Sequence, residues 1–276
     1  SPMPTSPRIS RDPHHERLVA AAPVLPDLGR AIRIAFMTPG RSAIAIAMAV
    51  VIEVTRVLLV GGDAYLTLAL ALPVALAGGP LSRSVAVEFA LGIRQNVRDS
   101  WSDVRRHLSQ LALLAAIALA LAIIIHAATD SIAWSALVLT LAMLPMASLT
   151  CEGSDAIDAV QRALAYAVAK PLHAIAIGIS GAIVLLAADV ASDAIARLIT
   201  DPSSPGLIGS LTRILVLVPS ILIFTPQLTA SYLLIREAAD GQDRHELWTP
   251  AMESTLAQED ESLARSADDE AREDGA

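Results

Sequence analysis

Six apolar stretches, each close to the length that crosses a bilayer, dominate this chain of 276 residues. They run over 42–60, 64–80, 109–128, 131–149, 171–190 and 211–235. A hydrocarbon core ~30 Å thick takes ~20 residues of helix, and only helices or closed barrels satisfy their own backbone groups in lipid. The expected fold class is therefore all-α, a polytopic membrane protein built as a six-helix transmembrane bundle. Composition agrees, because 17% charged residues against 54% hydrophobic ones cannot cover a soluble domain of this size.

Charge sets the organisation around those spans. Residues 248–276 carry nine acids against Arg265 and Arg272, so nearly all of the net charge of −8 belongs to this segment. It has no core-forming pattern, and 249–276 is expected to be a disordered acidic tail. Residues 1–26, rich in Pro, Arg and His, are expected to be a second disordered tail, leaving 27–248 as the membrane domain. With six spans, 17 of the 20 basic residues fall on the side of both termini. Arg197 and Arg213 lie on the other side, and Arg56 sits inside the first span. The positive-inside bias then predicts cytoplasmic termini and a cytoplasmic Cys151. As the lone cysteine, Cys151 excludes an internal disulfide and a cysteine-based metal site.

Two segments on the predicted cytoplasmic side read as interfacial elbow helices. In 151–175 Ser154 is the expected N-cap, with Asp155 and Asp158 in the first turn, where they complement the helix dipole. Ile157, Val160, Leu164 and Val168 make an apolar stripe, Asp158 and Arg162 are a four-apart pair, and Pro171 restarts the chain into span five. In 78–108, Gly78-Gly79-Pro80 is expected to break span two, leaving Leu81, Val85 and Phe89 on lipid. Asn96 and Asp99 suggest a capping box, and Trp101 an interfacial anchor. Elbow followed by span thus occurs twice, at 96–128 and 154–190. Small residues every four positions (Ala112, Ala116, Ala120 and Ala174, Gly178, Ala182) are expected to let helices approach closely.

The strings "GGPLSRSVAVEFA", "EGSDAIDAVQRALAYAVAKPLH" and "SYLLIREAADGQD" resemble the signatures of an uncharacterised bacterial six-span membrane protein family. That family is distantly similar to the membrane domain fused to some glycerophosphodiester phosphodiesterases, whose catalytic barrel has no counterpart here. The resemblance implies an integral protein of the bacterial inner membrane and no known activity.

Candidate sites follow from polar residues in apolar surroundings. Glu53 and Arg56, three apart in span one, are either a self-neutralising pair or part of a proton or ion path. Arg83, Glu88, Glu152, Asp155, Asp158 and Arg162 are expected to converge at the inner interface, as a polar lock between elbows or a seat for an anionic lipid headgroup. They lack a nucleophile, a metal-ligand set and a matched acid–base pair, so no catalytic residue and no cofactor is expected. His126 and His173 fall near opposite faces, which argues against a shared metal. Span six holds Pro219 and Pro226 with Thr225 and Gln227, a kinked or broken helix of the sort that lines transporter sites. The functions expected are a non-enzymatic scaffold or envelope factor binding anionic lipid, or a small-solute or lipid transporter using Glu53 and a broken sixth span. Expected partners are membrane lipids and a second copy or another membrane protein, with no nucleic acid.

Overall fold

The computed structural model describes residues 24–58, 71–199, 207–242 and 247. These are helical almost throughout. The elements are α1 (Val24–Phe36), α2 (Pro39–Leu58), α3 (Ala71–Leu91), α4 (Val97–Val104), α5 (Leu108–Thr129), α6 (Ile132–Ala142), α7 (Leu144–Glu152), α8 (Ala156–Ala169), α9 (Pro171–Ile199) and α10 (Leu207–Asp240). A 3-10 turn over Arg105–His107 joins α4 to α5. Five units are long and apolar enough to cross a membrane, and α1 with α2, bent by 85° at their junction, makes a sixth if taken as one span. The chain is therefore an all-helical, multi-pass membrane protein. The acidic tail expected at 249–276 and most of the tail expected at 1–26 lie outside the described residues.

The main departure from expectation is α3. Gly78-Gly79-Pro80 does not break it, and Pro80 sits inside the helix. Every residue from Gly78 to Ala90 is buried, including Leu81, Val85 and Phe89, which are core residues and not lipid-facing ones. Of the span expected at 64–80, residues 64–70 lie outside the described residues, and the helix runs past residue 80, its described spanning part being Leu72–Leu91. The cause is packing. A Cβ at position 79 would come within 2.8 Å of Val104 Cγ1 and 2.9 Å of Leu111 Cδ1, so the glycine serves close helix approach, not a turn. A proline inside a spanning helix is tolerated where neighbouring elements reorganise around the freed carbonyl. Being surrounded on all sides, α3 can carry Ser82, Arg83, Ser84 and Glu88 without exposing them to lipid.

The other helices pack round α3. On one side α10 lies against α9, α2, α1 and α3; on the other α5 lies between α3 and α6, and α6 meets α9. A Cβ at Gly181 would fall 2.2 Å from Thr140 Cγ2, and one at Gly178 would fall 2.8 Å from Leu137 Cδ1. Gly178 of the expected stripe thus meets α6, together with Gly181, which the stripe did not include, while Ala174 and Ala182 are buried. The stripe expected in α5 is displaced: Ala115, Ala118 and Ala122 are buried, while Ala112, Ala116 and Ala120 sit at the contact's edge. Leu113, Ile117, Leu121 and Ile124 of α5, with Ile175, Ile179 and Ile183 of α9, remain exposed, as a lipid-facing surface requires.

Three boundaries also move. Proline at the start of α7 and a turn at Met143 split the fourth span into α6 and α7, and Gly153 with φ 65° ends it. The fifth helix continues past residue 190 to Ile199, because Ala-rich sequence sustains a helix after its apolar stretch ends. The sixth is one helix of 34 residues, not a broken one. Ser220 and Thr229 donate their hydroxyls to the Val216 and Thr225 carbonyls one turn back, beside the two prolines.

Both elbows exist, with local corrections. The N-cap of α8 is Asp155 and not Ser154; its carboxylate accepts the Asp158 backbone N–H at 2.8 Å. Asn96 precedes α4 without a side-chain cap, so the expected capping box is not formed. Ile157, Leu164 and Val168 of α8 are more than 60% exposed, the stripe an interfacial helix would lay on lipid. The end of the bundle that carries α1, α4 and α8 is its elbow end.

Candidate functional site

Two nodes of buried charge lie near the elbow end. In the first, Arg41 opens α2 and is fully buried. Its Nε donates to Ser84 Oγ at 2.9 Å, Nη1 to the Ile34 carbonyl at 2.7 Å, and Nη2 to the Ser84 carbonyl at 3.0 Å and Glu88 Oε2 at 2.7 Å. Ile34 lies in the last turn of α1, whose carbonyls have no helical N–H left to accept. One guanidinium therefore closes α1, starts α2 and clamps both to α3. Its planar fork suits this task in a way a lysine ammonium does not.

Glu152, the last residue of α7, centres the second node. It accepts a short hydrogen bond from Tyr232 Oη, another from Arg162 Nη1 at 2.5 Å, and lies 3.5 Å from Arg236 Nη1. Tyr232 in turn accepts from Ser148 Oγ at 2.9 Å. Arg162 also pairs with Asp158 at 2.9 Å, the four-apart pair read from the sequence. Burial would lower the Arg162 pKa, but the hydrogen bonds to Asp158 and Glu152 outweigh it and hold the group charged. Tyr166 of α8 stacks at a tilt on Tyr232, ring centres 6.0 Å apart. Burial, with a hydrogen bond to Asp240, pushes its phenol above the usual tyrosine range. The node thus fastens elbow α8 to α7 and α10. Beside it, Arg83 reaches Asp103 at 3.4 Å and the Thr150 carbonyl at 3.3 Å, tying α3 to α4 and α7.

The six predicted elbow residues therefore do not form one cluster. Glu152, Asp158 and Arg162 come together. Arg83 is held next to them by other partners, Glu88 belongs to the Arg41 node, and Asp155 only caps α8. Arg41, Ser148, Tyr232 and Arg236 were absent from the expected site. Tyr232 and Arg236, four apart near the end of a span, carry the one local signal that could have found them. Cys151 is fully buried among these groups.

Between these nodes and the opposite end lies a partly open cavity of about 410 Å³. Its walls come from α2, α3, α5, α6, α7, α9 and α10. Gly78 of α3 is buried, yet a Cβ built on it would meet no atom within 4 Å; it faces this empty space. Glu53, 2% exposed, stands in the wall with Thr225, and Asp189, Asp193 and Arg213 line the part remote from the elbows. Towards the elbow end the lining includes Ser82 and Thr229, whose hydroxyls are 2.8 Å apart; Ser82 also lies 2.9 Å from the hydroxyl of Thr150. That layer separates the cavity from the Glu152 node. Gln227, expected beside Thr225, turns away and donates to Ser180 Oγ at 2.6 Å. The side chain of Arg56 lies outside the described residues, so the expected Glu53–Arg56 pair does too.

Among the described residues no three His, Cys, Asp or Glu side chains converge as metal ligands. No protein-family model, no curated protein and no solved structure matches this chain.

Proposed function

We propose that this membrane protein is a carrier for a small amphipathic solute, which it receives in the cavity between α3, α9 and α10. One observation carries the proposal: a largely apolar chamber inside the bundle, with a buried carboxylate in its wall and, among the described residues, a hydrogen-bonded layer at the elbow end. Its size falls within the ~300–1,000 Å³ of small-molecule sites. Acidic residues within membrane spans are expensive and commonly mark solute paths. The positive-inside bias supports an orientation with the elbow end in the cytoplasm. On that reading the chamber faces the outside and the hydroxyl layer with the Glu152 node is its inner gate. The resemblance of three strings to a bacterial six-span family agrees with an inner-membrane location and brings no activity with it.

A second reading, a scaffold seated on anionic lipid, draws on the exposed apolar stripe of α8 and on Arg94, Arg98, Arg105 and Arg106, all exposed at the elbow end. Arg83 and Arg162 support it less, since both are engaged by protein acceptors.

The two readings separate in a thiol-accessibility experiment. Native Cys151 is fully buried and provides a silent background. Thr225→Cys in sealed proteoliposomes of known orientation is expected to react with a water-soluble methanethiosulfonate applied to either face, faster from the face opposite the elbows. Reaction from that face alone would refute a carrier, and reaction from neither face would refute a wet chamber.

A further inference from the structure

Three arginines at the elbow end stand apart from both nodes. Arg33 of α1, Arg98 of α4 and Arg105 just after α4 are exposed, and none has a side-chain hydrogen bond or ion pair among the described residues. They share one surface. Arg98 and Arg105 are seven apart, about two turns along one face, and the opposite face of α4 buries Ser100 and Val104. Arg33 adjoins Ile34, whose carbonyl Arg41 binds, and a Cβ at Gly40 would lie 3.3 Å from Val97. The end of α1 therefore abuts the start of α4. Asp99 is the exposed acid of α4, while Asp103 is engaged by Arg83 and Gln95.

We infer that this surface is the docking site of the chain's own acidic segment, residues 249–276. The segment carries nine acids against Arg265 and Arg272, the charge that free guanidiniums attract. It also starts in the right place. Asp240 ends α10 at the elbow end, where Tyr166 of α8 bonds it, and Leu247 is buried in the core two residues before the segment begins. Its 28 residues can extend up to ~90–100 Å, ample to cross α1 and α4. Being tethered, it meets the surface at an effective concentration near the millimolar range. A lipid surface fits α8 better, with its exposed aliphatic stripe, than α4, which turns Arg98, Asp99 and Ser102 outward. The docked segment bridges α1 and α4 and keeps other anions off their arginines. This inference is independent of the cavity.

The test is zero-length carbodiimide cross-linking of the full chain, one copy per nanodisc of zwitterionic lipid. The chain has a single lysine, Lys170 at the end of α8, which serves as the internal reference. Arg98→Lys and Arg105→Lys keep the charge and supply an amine on the surface; Arg33→Lys does so independently on α1. Mass spectrometry then counts links to the carboxylates of 249–276. Links from the introduced amines are expected about fivefold more often than from Lys170, falling to its level in 1 M salt, where the screening length is ~3 Å. Equal yields from Lys170 and the introduced amines at low salt would overturn the docking, as would a preference indifferent to salt. Links no more frequent than at Lys170, with phosphatidylglycerol retained by the unaltered chain and lost from Arg98→Gln with Arg105→Gln, would give the surface to lipid and overturn it too.

Discussion

Arg41→Ala is expected to destabilise the folded protein by about 3–5 kcal/mol, the range for removing one partner of a buried ion pair. The alanine would withdraw four hydrogen bonds at once. Glu88, whose side chain is only 11% exposed, would be left with Arg94 at 3.8 Å as its neighbouring cation, itself 77% exposed and screened by water. The Ile34 carbonyl at the end of α1 would lose its donor too. Chemical unfolding in mild detergent measures the loss. Arg41→Lys should recover only part of it, because a point charge cannot hold α1, Ser84 and Glu88 together. Arg41→Met with Glu88→Leu should be more stable than Arg41→Ala, since it removes the uncompensated carboxylate. Equal stability of Arg41→Ala and the unaltered protein would show that the node does not hold α1 and α2 to α3.

A similar loss, about 3–5 kcal/mol, is expected for Glu152→Ala, and it should greatly exceed that of Arg162→Ala. Glu152 is 7% exposed and serves Tyr232, Arg162 and Arg236, the last of them 2% exposed. Removing it withdraws the acceptor through which α7 holds both α8 and α10. Arg162 is 43% exposed, so cutting its side chain leaves Glu152 with Tyr232 and Arg236 and forfeits a half-solvated pair worth about 0–1 kcal/mol. Unfolding of the two variants side by side gives the comparison. If Arg162→Ala were the more damaging change, the node would depend on the α8 clasp and not on the buried carboxylate.

The approximate place of five spans was legible because apolar length is a property of contiguous sequence; the expected first span is instead part of a pair of helices bent by 85°, and makes a sixth only if the pair is counted as one. The same local logic failed at Gly78-Gly79-Pro80. Glycine and proline punctuate an isolated helix, but here contacts from Val104 and Leu111, distant in sequence, determine what position 79 can hold. Burial of α3 on every side then put Arg83 and Glu88 inside the bundle. Glu53 was readable as a candidate since an acid within a span stands out, and the structure places it, buried, in the cavity wall. Arg41 was not: beside other basic residues it read as topology, and its partner Glu88 lies 47 positions away. Gln227 was singled out for its polarity, yet helical register alone could not say that it faces Ser180 and not the cavity.

The centre of the bundle is α3, one unbroken helix packed on the side of Gly79 and open to a chamber on the side of Gly78. Melting of Gly78→Ala against Gly79→Ala tests this most directly. Gly79→Ala, whose Cβ would come within 2.8 Å of Val104 and 2.9 Å of Leu111, is expected to lose ~1–3 kcal/mol, as overpacked cores do, whereas Gly78→Ala, whose Cβ meets no atom within 4 Å, should be at least as stable as the unaltered protein, since alanine favours a helix over glycine. Equal losses at the two positions, or a greater loss at Gly78, would contradict both the helix and the chamber beside it.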